Sequence, residues 1–110
     1  MKRGEVWTVA GGGGPYAGKP RPCVIVQDDR FDATASITVC LLTTEAIDAP
    51  LIRPMVEPSD LNGLVRTSWI EVDKIVTTRR VNLGQRVGRL SDEDAVRLNR
   101  ALLVFLGFAG

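Results

Sequence analysis

The sequence predicts a compact, mainly β domain with one helix: a mostly antiparallel β-barrel or coiled sheet closed by a C-terminal amphipathic helix. Three observations predict it. Short apolar runs rich in β-branched residues, at 22–27, 36–43 and 65–72, are separated by turn signals. Helical periodicity is confined to the last twenty or so residues. The chain has 110 residues, 45% of them hydrophobic, which suits a single domain over 1–110 with one real core.

Residues 4–9 alternate polar and apolar and read as a first strand, with Val6 and Trp7 on opposite faces. Residues 10–18 hold four consecutive glycines and Pro15, which no regular element accommodates. This is not a Walker loop, which closes on Gly-Lys-Ser/Thr and opens a helix; here a strand follows. The loop reads either as a lid over a ligand or as a plain flexible connection. The second strand covers 22–27 and ends at Asp28-Asp29-Arg30, and the third covers 36–43. A fourth, at 51–56, is placed at a sheet edge by Pro54. Pro58 to Gly63 is a turn, 65–72 a fifth strand, and 86–90 with part of 75–81 the last.

Ser91 is a good N-cap, with Asp94 three residues on and Asp92 and Glu93 adding favourable charge to the first turn. Ala95, Leu98, Leu102 and Phe105 recur at helical spacing, flanked by Val96, Leu103 and Leu106, and Gly107 ends the element.

Composition removes several classes of function. No run reaches the ~18 apolar residues of a membrane helix, and Met1-Lys2-Arg3 leads straight into Gly4-Glu5, with no signal-peptide core. A cytoplasmic protein without a membrane partner is expected. There is no histidine, so no imidazole serves acid–base work or metal ligation. Cys23 and Cys40 fall inside apolar strand patterns and read as small buried hydrophobes. Neither a metal nor another cofactor is expected. The net charge of +1 excludes a globally basic nucleic-acid binder, so any such site must come from local charge. Arg79, Arg80, Arg86 and Arg89 cluster in sequence, as a positive face or a solvated rim; Arg79, Arg80 and Arg86 read as tracking a phosphate backbone or as binding an acidic partner segment.

One short stretch carries chemistry. Lys19-Pro20-Arg21-Pro22 runs directly into the second strand. Proline fixes its own φ and pushes the preceding residue toward extended geometry, so Pro22 holds Arg21 extended and Pro20 does the same to Lys19. A fixed, permanently charged bidentate donor suits phosphate or carboxylate recognition. The same residue also reads as a surface arginine at the mouth of a strand.

Arg3-Gly4-Glu5-Val6-Trp7, Arg21-Pro22 entering a hydrophobic strand, and a strand ending Leu42-Thr43-Thr44 together resemble the MazF/PemK toxins of bacterial type II toxin–antitoxin pairs. The resemblance continues through Val65-Arg66-Thr67-Ser68, Asp73-Lys74-Ile75 and the closing helix, covering essentially the whole chain in order. It implies an SH3-like barrel, a homodimer, and metal-independent cleavage of single-stranded RNA at short sequences. It also implies a small cognate antitoxin whose acidic segment occludes the RNA groove. By position, Arg21 matches the family's catalytic arginine and Thr43 the assisting hydroxyl, with Thr44 a one-residue alternative and Ser68 a further site residue. Gly14-Pro15-Tyr16-Ala17 stand where some members carry polar or acidic residues, so the base is not identified by the resemblance.

Such RNA cleavage needs in-line attack by a 2′-hydroxyl, stabilisation of charge on the phosphorane oxygens, and two proton transfers. Arg21 suits the charge, Thr43 a hydrogen bond to a phosphate oxygen, and Lys19 an assisting role. Tyr16 and Phe31 are candidate base stackers, whereas Trp7 and Trp69 read as core or dimer contacts. Two other classes remain open. One is a gyrase-poisoning interaction toxin like the CcdB proteins, for which the apolar tail from Phe105 to Gly110 would be the plug. The other is a non-catalytic barrel that binds a peptide or RNA.

Overall fold

The computed structural model describes residues 1–10 and 19–109; Tyr16 and the glycine run lie outside them. Six strands form one antiparallel sheet: β1 (Glu5–Val9), β2 (Arg21–Ile25), β3 (Ser36–Thr43), β4 (Met55–Val56), β5 (Ser68–Arg79) and β6 (Leu83–Arg89). One helix, α1 (Asp92–Phe105), follows. The strand order is β4-β5-β3-β2-β1-β6.

The sheet curls so that its central strands bury both faces. Alternation along β2 shows how: Val24 joins one core with Val6, Cys40, Leu42, Ile70 and Val72, while its neighbours Cys23 and Ile25 join a second with Val9, Ile37 and Val39. Leu98, Ala101 and Leu102 of α1 cover the first core. Ser91 caps the helix as expected, its hydroxyl accepting the Asp94 N–H at 3.1 Å. The buried helix face is narrower than the sequence pattern, since Val96, Leu103 and Leu106 on its flank are exposed. Ala101 is inside, whereas Phe105 is 43% exposed.

β4 is only two residues long and lies at the sheet edge, as Pro54 requires. The segment before it still bonds to β5, since the Ile52 and Pro54 carbonyls accept the Val72 and Ile70 N–H groups. The expected boundary between the fifth and sixth strands moves. Residues 75–79 continue β5, a 12-residue strand, and β6 starts at Leu83. The sequence pattern ends the fifth strand at Val72, but in the structure Asp73 and Lys74 sit inside an irregularity of the strand. Cys40 pairs with Ile75 and Leu42 with Ile70, so four residues, Glu71 to Lys74, stand opposite Leu41 alone. An excursion of this kind bends a strand and re-aims its side chains. It is where the charged part of the site is built.

Candidate active site

Arg21 opens β2 opposite Val9, one residue beyond Pro20, and its side chain leaves the strand towards the excursion in β5. The guanidinium Nη2 donates to Glu71 Oε1 at 2.9 Å and to the Leu42 carbonyl at 3.2 Å. Among the described residues these are its only hydrogen bonds, and none is made by Nε or Nη1. The Arg21 side chain is 40% exposed and that of Glu71 only 6%.

Below this pair lies a charge network. Arg53 is as buried as Glu71; its Nη2 lies 3.7 Å from Glu71 Oε2, and its Nε and Nη2 grip the two Asp73 oxygens at 2.6 and 3.1 Å. Lys74 Nζ approaches Glu71 Oε2 at 3.5 Å from the solvent side. The network thus joins two carboxylates and three cations, of which Arg53 is buried while Arg21 and Lys74 reach solvent. The fork-shaped hydrogen bonds from Arg53 hold the Asp73 carboxyl below the usual carboxylate range, and Asp73 in turn raises Arg53. A depressed carboxylate stabilises the fold above its unfolded pKa and loses that contribution as pH falls through the folded value. Stability should therefore drop on acidification below about pH 4. In Asp73→Asn, urea titrations at stepped pH should give lower stability at neutral pH and a shallower acid limb. An unchanged acid limb would remove Asp73 from that linkage.

Arg21 lies between two cavities. One, of about 580 Å³, is lined by Lys19, Leu42, Thr43, Thr44, Glu45 and Ser68 around it. The other, of about 340 Å³, is walled by Val9, Leu41, Val76, Thr78 and Asn82. Thr43 ends β3 opposite Trp69, and its hydroxyl accepts the Glu45 N–H at 3.1 Å, which leaves its own proton for a ligand. Ser68 is buried and donates to the Arg66 carbonyl. The structure therefore brings Lys19, Arg21, Thr43, Thr44 and Ser68 to one groove, and adds Glu45 to its lining and Glu71 behind Arg21, which the sequence analysis did not single out.

The other basic candidates are elsewhere. Arg80 donates to the Thr34 and Asp32 carbonyls and approaches the Met1 sulfur, tying the 32–34 loop to the end of β5. Arg86, on the opposite edge strand, pairs with Glu5 at 2.9 Å. Arg79 closes β5 opposite Ser36. None of the three lines either Arg21 cavity. Phe31 is 54% exposed in a 3-10 turn, with the Arg30 guanidinium 5.7 Å above its ring. Trp7 packs on the second core and donates to Glu5, as its place in a strand predicted. Cys23 and Cys40 are buried free thiols pushed up to about 12 by that burial, so neither is a thiolate at neutral pH.

A larger cavity, about 790 Å³, lies away from this groove, between the end of α1 and the sheet, with Leu102, Leu103, Leu106, Phe108 and Ile75 in its walls. Its guanidinium, that of Arg3, is already bound to the Val26 carbonyl and to Asn99. An apolar wall with an engaged cation lacks the donor set that the Arg21 groove has.

Comparison with known proteins places this geometry. A family model described as PemK-like, MazF-like toxin of type II toxin-antitoxin system matches residues 2–106. A probable endoribonuclease MazF of Mycolicibacterium smegmatis is 54% identical over 110 residues, covering both chains completely. Among solved structures, an endoribonuclease in complex with its cognate antitoxin, from a mycobacterial species, superposes with a TM-score of 0.83 at 27% identity, covering 100% of this chain and 98% of that one. The Mycobacterium tuberculosis toxin MazF-mt6 shares the fold, with a TM-score of 0.78 at 20% identity over 94% and 96% of the two chains. These relatives give the gyrase-poisoning reading no support, although Phe108 is 78% exposed at the tail on which it rested. With a barrel-like curled sheet, a proline-framed arginine beside a strand-end threonine, and a family match along nearly its whole length, the chain belongs to the PemK-like, MazF-like toxins of type II toxin–antitoxin systems.

Proposed function

We propose that this toxin is a metal-independent, sequence-specific endoribonuclease that cuts single-stranded RNA in the groove around Arg21. The observation that carries the reading is the meeting of Arg21, Lys19 and the Thr43 hydroxyl on one cavity wall. In the proposed reaction the 2′-oxygen attacks the adjacent phosphorus and the bond from phosphorus to the 5′-oxygen breaks. The products are a 2′,3′-cyclic phosphate and a 5′-hydroxyl. Arg21 places its guanidinium charge and a free N–H against a phosphorane oxygen, and Thr43 donates to another.

The attacking hydroxyl loses its proton to Glu45, the one carboxylate lining the groove among the described residues. Residues 11–18 contain no acid. The departing 5′-alkoxide is basic enough to take a proton from the cationic edge formed by Arg21 and Lys19, even though a guanidinium is a very weak acid. The toxin works as a homodimer, and a small antitoxin with an acidic segment blocks the same groove by pairing with Lys19 and Arg21. No helix among the described residues is long and apolar enough to cross a membrane.

Purified toxin incubated with a long single-stranded RNA in EDTA should generate fragments with 5′-hydroxyl and cyclic-phosphate ends. Cleavage that required Mg²⁺, or that left 5′-phosphates, would overturn the mechanism. Glu45→Gln should lower the single-turnover rate about a hundredfold or more. A rate equal to wild type would move the base away from Glu45.

A further inference from the structure

We propose that Glu71 is a positioning residue for Arg21: it fixes the plane of the guanidinium and, by the same contact, lowers the groove's positive charge. The inference rests on the reading of Arg21 as the phosphate-stabilising group. A cation meant only to hold RNA would bind best with its charge uncompensated. Here a carboxylate that is almost wholly buried accepts from Arg21 Nη2 at 2.9 Å, and the Leu42 carbonyl accepts from the same nitrogen. Two acceptors on Nη2 fix the plane of the guanidinium, while Nε and Nη1 make no hydrogen bond among the described residues.

Glu71 is itself held on the other side. Its Oε2 is shared between Arg53 and Lys74, and Arg53 is anchored by two bonds to Asp73. All three residues of β5 in this network lie in the four-residue excursion opposite Leu41. Glu71 lines neither cavity beside Arg21, so it reaches a bound phosphate only through the arginine.

Two effects of opposite sign follow. Orientation of Arg21 favours the transition state, where a guanidinium misplaced by an ångström costs much of its value. The buried negative charge weakens ground-state attraction for RNA. In Glu71→Gln, kcat should fall about ten- to a hundredfold. Binding of a 2′-O-methyl RNA, which cannot be cut, should tighten on the order of threefold. The tightening should disappear when Arg21→Ala is added. A merely structural glutamate would weaken binding and turnover together, and that result would overturn the proposal.

Glu71→Asp keeps the charge balance with Arg53 and Lys74 but withdraws the carboxylate from Arg21, so it serves if Glu71→Gln does not fold. Its kcat should fall similarly with a wild-type circular dichroism spectrum. Wild-type kcat in a folded variant would overturn the positioning role. If Arg21→Ala itself still cuts RNA, the proposed function fails; if Arg21→Ala is inert while both Glu71 variants turn over normally, only the positioning role fails.

Discussion

Replacing Arg21 with alanine should reduce RNA cleavage by about three orders of magnitude or more while leaving the barrel folded. Removing one well-aimed donor from a developing oxyanion costs about 10²–10³ in kcat, and Arg21 offers two nitrogens with no hydrogen bond among the described residues as well as the groove's fixed charge. The fold should tolerate the change because the side chain is 40% exposed and the strand is held by its backbone pairing to β1 and β3. Its removal does leave Glu71 with Arg53 and Lys74 as counter-charges, so the stability loss should be modest. Arg21→Lys should recover little: a lysine keeps the charge but cannot hold Glu71 and Leu42 through one nitrogen while offering another to phosphate. Single-turnover cleavage of a labelled RNA, with circular dichroism on the same preparations, checks both variants. Unimpaired cutting by a folded Arg21→Ala would exclude Arg21 from the chemistry.

The largest effect on stability should come from Arg53, not from any residue of the groove. Arg53 is 6% exposed and stands between two carboxylates, one of them equally buried. Arg53→Met leaves Glu71 and Asp73 facing each other with Lys74 and Arg21 as the remaining cations. Loss of one partner from a buried charge cluster costs about 3–5 kcal/mol, a large share of the ~5–15 kcal/mol that holds a domain folded. The Tm should fall on the order of 15 °C. Adding Glu71→Gln removes one uncompensated carboxylate, so the double variant should be less destabilised than the sum of the two single changes. Strict additivity in denaturant titrations would show that Arg53 and Glu71 are not energetically coupled.

Much of this architecture is legible in the residues because it depends on local pattern. The alternation at 4–9, the β-branched runs of β2 and β3, and the Ser91 cap each specify their element without reference to anything distant. The proline frame of Arg21 is legible for the same reason. What the sequence hides is set by long-range register. Glu71 looks in sequence like an ordinary polar position on a half-buried strand. It becomes an interior carboxylate only because β5 bends opposite Leu41, and its partners lie 50 residues away at Arg21 and 18 at Arg53. The one sequence signal was the pair of acids, Glu71 and Asp73, beside Lys74 within an otherwise apolar strand. It reads more naturally as a strand end, and for that reason the fifth strand is longer than its pattern.

The basic cluster shows the converse. Arg79, Arg80 and Arg86 are neighbours in sequence, but the 3-10 turn at Arg80–Asn82 separates them. One guanidinium turns back to the 32–34 loop and another sits on the far edge strand beside Glu5. Proximity along the chain did not become a shared surface at the groove.

A crystal structure of the toxin with a 2′-O-methyl RNA that binds but cannot react tests the account most directly. The scissile phosphate should rest between the Arg21 guanidinium and the Thr43 hydroxyl, with each within hydrogen-bond distance of one of its oxygens and Glu45 beside the blocked 2′-oxygen. An RNA lying instead along Arg79, Arg80 and Arg86, with no phosphate near Arg21, would contradict it.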